Sequence, residues 1–235
     1  MIIKWIFDRV VSFIGLLFLW PVLLVVAVLI KMKMPGGPVL FVQNRVGKDG
    51  KLFKCHKFRT MKPTPSPSLK VRGDSQNWST VSVAGDNRIT PFGATLRHYK
   101  LDELPGLWDV LRGKMSFVGP RPDVPGYADK LEGEDRDVLK LRPGITGPAT
   151  LKYRLEDEYL ANARELVSNT NPNHNVNFDA MTDQELAVWY NDNVIYPDKV
   201  RLNLYYYRHY SFWKDIEMIL CTVLGRKMKY AGEVI

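Results

Sequence analysis

The sequence predicts an α/β (α+β) domain that associates with a membrane through an N-terminal re-entrant, Pro-kinked helix and interfacial amphipathic helices. The 21 residues from Val10 to Ile30 carry no charge, and this is about the length that crosses a hydrocarbon core. Strand-like alternation and helix-like spacing follow one another along the rest of the chain. From Lys199 to Leu224, aromatic and basic residues are interleaved. Next to an apolar N-terminus this pattern favours a membrane interface, with a buried helix or a nucleic-acid surface as the alternatives. We therefore divide the chain into a membrane helix, residues 1–34, and a second domain, residues 35–235.

The composition limits the class of protein and of partner. The 235 residues suffice for one domain plus a membrane segment, and the formal net charge of +8 favours anionic partners. A phospholipid surface, phosphorylated substrates and nucleic acid would all fit that charge. The two cysteines, Cys55 and Cys221, are far apart and lack metal-ligand spacing, so we expect free thiols in a reducing compartment.

The apolar run has two features that a straight transmembrane helix does not explain. Pro21 lies in its middle and removes a helical hydrogen bond, so the helix should kink there. Basic residues lie on both sides, Lys4 and Arg9 before the run and Lys31 and Lys33 after it. The positive-inside rule places both flanks in the cytoplasm only if the helix bends and returns, each half being about 15 Å long. We therefore expect a re-entrant, monotopic helix, with a plain membrane span as the alternative.

Local patterns predict the elements of the domain after residue 35. They are strands at 39–42 and 52–61, a strand at 115–118, a helix that starts at Thr90-Pro91 and a mixed-charge helix from Gly126 to Arg142. Residues 62–82 are rich in Pro and Ser and predict a mobile loop.

Residues 152–195 have the least familiar pattern, and we interpret them as a variable insertion. An acidic helix is predicted near 156–167, followed by a polar loop at 168–175. Thr182 with Glu185 three residues later predicts a capping box at the start of another helix.

The stretch at residues 97–122 carries the strongest chemical signal. Two adjacent carboxylates, Asp102 and Glu103, precede a proline and a short apolar pattern that predicts a helix. Acids are common in a first helical turn, so helix stabilisation is the simple explanation of the pair. The flanking arginines, Arg97 and Arg121, instead favour an anionic ligand.

This stretch, LDELPGLWDVLRGKMSFVGPRP, resembles the signature of the bacterial sugar transferases, which are monotopic phosphoglycosyl transferases. Family-like sequence also occurs as KFRTM at 57–61, LRPGITGP at 141–148 and YPDK at 196–199. The resemblance covers most of residues 4–151 and returns at 196–224. It implies a catalytic domain on the cytoplasmic face of the bacterial inner membrane, anchored by a broken helix that enters and leaves by one leaflet.

The resemblance also implies a reaction, the transfer of a sugar 1-phosphate from a UDP-sugar to polyprenol (undecaprenyl) phosphate with release of UMP. This would be the first membrane step in the assembly of a capsule, O-antigen, exopolysaccharide or glycoprotein glycan. Asp102 would be the nucleophile that forms a phosphosugar-aspartate, and Glu103 would hold Mg²⁺. The expected partners are the two substrates and an anionic phospholipid membrane, and the assembly could be a homodimer.

Eight residues are candidates for substrate binding, because cations can hold phosphate oxygens and a loop rich in Gly and Pro can approach a ligand closely. They are Lys57, Arg59, Arg97, Arg121, Arg142, Gly144, Thr146 and Gly147. The alternative is a solvated basic face for Lys57 and Arg59, and a structural ion pair for Arg142. His56 has no neighbouring ligand in the sequence, and we expect it to be structural.

Two other classes of function remain at this point. A basic nucleic-acid-binding protein would explain the charge but not the apolar N-terminus or the LDELP segment, so we expect no nucleic-acid partner. A non-catalytic, membrane-anchored scaffold of a glycan assembly complex would keep the helix without the chemistry.

Overall fold

The computed structural model describes residues 1–62, 88–170 and 177–235 of the chain. The predicted loop at 62–82 therefore lies, apart from Lys62, outside the described residues, and so do residues 171–175 of the predicted polar loop.

Helices and short strands alternate along the chain, which confirms the mixed α and β class. The helices are α1 (Ile2–Lys33), α2 (Pro91–His98), α3 (Gly106–Leu111), α4 (Pro148–Lys152), α5 (Glu156–Ala161), α6 (Ala163–Thr170), α7 (Asp183–Tyr190), α8 (Tyr196–Arg208) and α9 (Phe212–Leu224). The strands are β1 (Leu40–Val46), β2 (Leu52–Phe58), β3 (Ser116–Val118), β4 (Gly144–Thr146), β5 (Lys229–Tyr230) and β6 (Glu233–Val234). Short 3₁₀ turns occur at Lys48–Gly50, Leu101–Glu103, Ala128–Lys130, Gly133–Lys140 and Phe178–Ala180, and a π-helical turn at Asn191–Ile195.

The strands pair two by two within the part of the chain that the structure describes. β1 and β2 form an antiparallel hairpin in which Leu40 lies opposite Phe58, β3 and β4 are parallel, and β5 and β6 are antiparallel. β2 alternates near its start, with Phe53 and Cys55 buried and Lys54 exposed between them. The buried side chains pack against Val110 and Met115, so β2 lies against the region of α3.

The N-terminal half of α1 is joined to the domain by buried polar contacts. Lys4 Nζ donates to Asp215 on α9 at 2.7 Å, and the Tyr206 hydroxyl donates to the same carboxylate at 2.6 Å. One turn further along α1, Asp8 accepts the backbone N–H of Phe117 at 3.2 Å. Breaking a buried ion pair leaves a charge unpaired away from water, so these contacts fix this end of α1 to the domain.

The C-terminal end of α1 contacts the same domain. Ile30 packs against Phe58 of β2 and Leu96 of α2. The buried guanidinium of Arg59 donates a hydrogen bond to the carbonyl oxygen of Met34, directly after the helix. A cation is favourable there because the C-terminal carbonyl groups of a helix carry partial negative charge. Both ends of α1 are therefore attached to one domain.

The apolar side chains in the middle of α1 are exposed, among them Phe13, Leu17, Phe18 and Trp20. By length and composition, α1 is the kind of helix that can cross a membrane. The residues on both sides of Pro21 are assigned to one helix. The re-entrant bend is thus not confirmed and stays a prediction.

The aromatic C-terminal segment forms α8 and α9, and only part of it is exposed. Tyr206 is fully buried in a cluster with Met218 and Tyr230. Trp213 and Val223 on α9 are exposed, Trp213 to 79%. Burial explains Tyr206 without a membrane, while contact of the outer face of α9 with a lipid surface stays a prediction.

The prediction of one charged helix from Gly126 to Arg142 is wrong. Two separate 3₁₀ segments, Ala128–Lys130 and Gly133–Lys140, take its place. Gly126 and Gly133 have φ angles of 107° and 56°, which lie outside the right-handed helical region and interrupt any continuous helix.

The predicted helix starts are confirmed. Thr90 caps α2 by accepting the N–H of Gly93 at 2.9 Å, and Thr182 and Glu185 form the capping box of α7. The acidic helix is divided into α5 and α6, which meet near Asn162, and α6 continues to Thr170 where a loop was predicted.

Candidate active site

The two carboxylates lie in a tight turn between α2 and α3. Lys100 has a left-handed conformation with φ of 54°, which ends α2 and begins the 3₁₀ turn Leu101–Glu103. The pair was predicted at a helix start, and α3 indeed begins three residues later at Gly106. The reversal of the chain at Lys100 brings the carboxylate pair close to β2 and to the turn that follows β3, which carry Lys57 and Arg121.

Glu103 is held by two cations from distant parts of the chain. Its Oε1 accepts from Lys57 Nζ at 2.7 Å and from the guanidinium of Arg121 at 3.1 Å. Burial alone would raise the pKa of Glu103, but the charges of Arg121 and Lys57 outweigh it and hold that pKa well below its usual range. In return, the charge of Glu103 raises the pKa of Arg121. Glu103 is therefore ionised at neutral pH, and Lys57 and Arg121 compensate its charge.

Asp102 has the opposite environment. It is 8% exposed, and its Oδ1 is buried without a hydrogen-bond partner among the described residues. Burial, and next the charge of Glu103, raise the pKa of Asp102, while nearby cations, first Lys57, oppose them. Neighbouring carboxylates whose pKa values are pushed apart are typical of sites that give the two groups different tasks.

A pocket opens beside Glu103. It is lined by Arg45, Cys55, His56, Lys57, Glu103, Gly106, Met115, Arg121, Pro122, Gly144 and Ile145. Three cations, Arg45, Lys57 and Arg121, face it together with one carboxylate, so the pocket favours an anion such as a diphosphate.

Arg45 lines the pocket although no sequence motif marks it. Its guanidinium donates to the Pro122 carbonyl at 3.1 Å, and burial, followed by the charge of Arg121, lowers its pKa. The hairpin itself was the available signal, because pairing of β1 with β2 brings Arg45 to the strand that carries Lys57.

His56 is engaged with α3. Its backbone N–H donates to Oδ2 of Asp109 at 2.9 Å, and its Nδ1 lies 2.8 Å from Oδ1 of the same carboxylate. Asp109 is 1% exposed. This contact is structural, as expected, but the ring also lines the pocket, which the sequence did not indicate.

Two predicted substrate-binding arginines have structural partners away from the pocket. Arg59 binds the Met34 carbonyl at the end of α1, and Arg142 donates to the Gly113 carbonyl after α3 at 3.1 Å. Arg97 donates to the Thr60 hydroxyl at 3.1 Å, and its charge acts on Asp102. The structure therefore brings Arg97 near the carboxylate pair. Arg97 and Asp102 lie beside the pocket but, like Arg59 and Arg142, are not among the residues that line it.

The glycines of the predicted substrate-binding loop pack against the backbone of the chain itself, which leaves no room for a ligand at those positions. A Cβ on Gly147 would lie 2.2 Å from the Gly119 carbonyl oxygen, and one on Gly144 would lie 2.2 Å from the Gly119 nitrogen. The Thr146 hydroxyl is 2.6 Å from that of Thr222 on α9. Gly144 still lines the pocket, whereas Thr146 and Gly147 serve to pack β4 against β3 and α9.

Part of the 152–195 region lies near the site. Lys199 on α8 donates to Glu156 on α5 at 2.6 Å, and the charge of Glu156 contributes to the raised pKa of Arg121. Burial raises the pKa of the adjacent Asp157, against the charge of Arg97. The first turn of α5 is therefore a neighbour of the carboxylate pair. The sequence alone did not indicate that this segment lies near the site.

The donor atoms suit Mg²⁺ only if a substrate supplies further ligands. Within residues 1–62, 88–170 and 177–235, no group of three or more His, Cys, Asp or Glu side chains could hold a metal ion. Mg²⁺ usually needs one or two carboxylates, with phosphate oxygens and waters completing its shell. The buried Oδ1 of Asp102, next to Glu103 and without a hydrogen-bond partner among the described residues, fits that pattern.

The electrostatics predict opposite effects on stability for the two carboxylates. Glu103 has a lowered pKa, so its charge stabilises the fold at neutral pH and this stability is lost as pH falls. Asp102 has a raised pKa, so stability is lost as pH rises through that pKa and the ionised group is unfavourable at neutral pH. Glu103→Gln should lower the free energy of unfolding by about 2 kcal/mol, between the values for exposed and buried ion pairs.

The isosteric substitution Asp102→Asn is the matched control and should leave the melting temperature at pH 7 unchanged or higher. Thermal unfolding of both variants in the same detergent measures the difference. Equal stability of Glu103→Gln and the unmodified protein would contradict the structural role of the Glu103 bridge.

Comparison with known proteins places this arrangement in a family. The family model described as "Bacterial sugar transferase" matches residues 1–227.

Relatives with assigned names share the match. The UDP-glucose:undecaprenyl-phosphate glucose-1-phosphate transferase of Xanthomonas campestris pv. campestris is 33% identical over 230 residues, which cover 95% of this chain and 39% of the relative. The UDP-N-acetylgalactosamine-undecaprenyl-phosphate N-acetylgalactosaminephosphotransferase of Aeromonas hydrophila is 31% identical over 206 residues, covering 86% of this chain and 38% of the relative. The exopolysaccharide production protein ExoY of Rhizobium meliloti (strain 1021) is 37% identical over 159 residues, covering 65% and 70%.

The chain spans less than half of the length of the first two relatives. Its family match nevertheless extends from α1 through the carboxylate pair to the end of α9. The chain belongs to the bacterial sugar transferase family.

Proposed function

We propose that the chain transfers a sugar 1-phosphate from a UDP-sugar to undecaprenyl phosphate and releases UMP. The observation that carries this proposal is the contrast between two adjacent carboxylates. Glu103 is neutralised by Lys57 and Arg121, while Asp102 is buried and its Oδ1 has no hydrogen-bond partner among the described residues. The names of two relatives state undecaprenyl phosphate as acceptor and a UDP-sugar as donor, which supports the substrate classes.

In the first step, the pocket cations bind the diphosphate of the donor. The side chains that can donate to the diphosphate oxygens are those of Arg45, Lys57 and Arg121. Their positive charges would compensate the negative charge that develops on these oxygens as the bond breaks. An Asp102 carboxylate oxygen attacks the sugar-linked phosphorus. The bond from that phosphorus to the bridging oxygen breaks, UMP leaves with the electron pair, and the sugar phosphate remains on Asp102.

In the second step, an oxygen of undecaprenyl phosphate attacks the same phosphorus and the Asp102 carboxylate leaves. Asp102 suits the nucleophile's role better than Glu103, because two cations withdraw charge from Glu103 and few donors solvate Asp102. Splitting the reaction also means that two bulky anions need not occupy the site at one time.

We also propose that Glu103 would hold Mg²⁺ that enters with the donor, next to the Oδ1 of Asp102 that has no hydrogen-bond partner among the described residues. When bound, the ion would neutralise part of the diphosphate charge. Since Oε1 of Glu103 already accepts from two cations, that carboxylate would be shared between the ion and the protein's own cations.

A re-entrant α1 is part of the proposal, and the attachments of the helix support it. Lys4 binds Asp215 near its start, and Arg59 binds Met34 at its end. One domain lies on one side of a membrane, so a helix tied to it at both ends favours entry and exit through one leaflet. This arrangement would keep the site at the cytoplasmic leaflet, where a lipid phosphate resides. A non-catalytic scaffold would not need the contrasting carboxylates, and the family membership does not favour a nucleic-acid-binding protein.

The covalent step predicts a partial reaction. With a UDP-sugar and no lipid acceptor, the protein should release at most one UMP per chain and gain the mass of a sugar phosphate on Asp102. Asp102→Asn should abolish both, because an amide is a poor nucleophile, while its melting temperature shows that the fold is intact. UMP release that strictly requires undecaprenyl phosphate, with no adduct trapped, would contradict the two-step mechanism.

The metal proposal predicts that a chelator stops UMP release and that added Mg²⁺ restores it. Glu103→Gln should slow the reaction by about 100-fold or more, and raised Mg²⁺ should recover part of the loss, because an amide oxygen is a weaker ligand than a carboxylate. Comparison with Glu134→Gln, which makes the same change at an exposed carboxylate that does not line the pocket, controls for general loss of charge. Full turnover in the presence of chelator would exclude the metal.

The topology predicts that both ends of α1 face the cytoplasm. Ile3→Cys and Met32→Cys suit labelling because both side chains are exposed, whereas Lys4 is buried against Asp215. In intact cells both cysteines should be protected from an impermeant thiol reagent and should react after permeabilisation. The unsubstituted protein, whose two cysteines are buried, gives the background. Labelling of one position and not the other in intact cells would establish a straight span.

A further inference from the structure

His56 is placed as a proton donor or acceptor would be. Oδ1 of the Asp109 carboxylate can only accept from Nδ1 of His56, so this nitrogen carries a proton whether the ring is neutral or charged. Nε2 is then the nitrogen that gains or loses a proton, and it makes no hydrogen bond to any residue in 1–62, 88–170 or 177–235. The His56 side chain is 21% exposed and lines the pocket that Lys57 and Arg121 also line. A buried carboxylate that orients an imidazole towards a site is a common arrangement for proton transfer.

The charges around the ring are mixed. The titratable and charged groups that face it are Asp109 on α3, Cys55 and Lys57 on its own strand, Arg45 on β1, Glu103 in the 3₁₀ turn and Arg121 after β3. Burial raises the pKa of the Cys55 thiol, which moves that titration to higher pH and away from the range in which an imidazole titrates. A diphosphate bound by the three pocket cations would lie within reach of the ring.

We propose that His56 is a further catalytic residue of this site, and that its Nε2 donates a proton to the phosphate of the leaving nucleotide. The inference rests on the proposed function and adds to it a route for the proton. As Asp102 bonds to the sugar-linked phosphorus, the bond from that phosphorus to the bridging oxygen breaks. The bridging oxygen leaves on UMP with the electron pair and takes the proton from Nε2. The neutral imidazole then regains a proton from water before the next donor binds.

Two substitutions separate this role from a purely structural one. In His56→Asn, the side-chain amide can take the place of Nδ1 and still donate to Asp109, but nothing replaces Nε2. In His56→Phe, both nitrogens are lost. His209→Asn is the matched control, because His209 is exposed at the end of α8 and stacks on Tyr205 away from the pocket. Melting temperatures of all three show whether the fold is retained.

The test measures single-turnover UMP release by the full chain with UDP-N-acetylgalactosamine and with UDP-glucose, without lipid acceptor, across pH. For the unmodified protein we expect the rate to rise with pH as Asp102 ionises and to fall again at higher pH, because the proposed donor must carry a proton. His56→Asn should release UMP about 100-fold more slowly at neutral pH, as for loss of a general acid, and should lack that fall. His209→Asn should match the unmodified protein.

The outcomes distinguish this inference from the proposed function. An adduct on Asp102 of the unmodified protein, with His56→Asn as fast as that protein and only His56→Phe slow, would show that His56 merely clamps β2 to α3. A slow His56→Asn that keeps the same dependence on pH would overturn the inference as well. No UMP and no adduct from the unmodified protein with any UDP-sugar would overturn the proposed function, and this inference with it.

Discussion

The bridge from Glu103 to Lys57 and Arg121 is the interaction on which the site depends. It joins β2, the turn after α2 and the turn after β3, whose residues are 46 and 18 positions from Glu103 in the sequence. Without a carboxylate between them, Lys57 and Arg121 would repel each other in a partly buried pocket, where Coulomb interactions are stronger than in water. The carboxylate therefore lets the chain gather three cations in one place, where we propose that they bind the diphosphate of the donor.

The same concentration of charge sets the condition of Asp102. Cations are close enough to favour its ionised form, but burial and the neighbouring Glu103 oppose ionisation more strongly. A poorly solvated carboxylate is unfavourable for folding and favourable for attack on phosphorus, because few hydrogen bonds must be broken before it reacts. The adjacent Glu103 is compensated by Lys57 and Arg121, so one residue of the pair stabilises the turn while the other stays available for the proposed attack on phosphorus.

Buried polar contacts, together with apolar packing, connect α1 to the candidate active site. Lys4 reaches Asp215 and Asp8 reaches the backbone of β3, while Arg59 holds the end of α1 from the segment that directly follows β2. Such contacts have defined directions, whereas apolar contacts allow sliding. The position of α1 is consequently linked to β2, which carries His56 and Lys57 into the pocket.

Local signals in the sequence determined several of the elements of this structure. The uncharged run of α1, the caps at Thr90 and Thr182 and the paired carboxylates depend on residues within a few positions of one another, and so they could be recognised before the fold was known. The tertiary structure alone decided which cations meet. Arg59 and Arg142 belong to family-like motifs yet bind backbone carbonyls, while Arg45 and His56, which were not predicted to bind a substrate, line the pocket. The physical reason is that a long side chain takes its partner from whatever segment packs beside it, and for His56 that partner is 53 residues away along the chain.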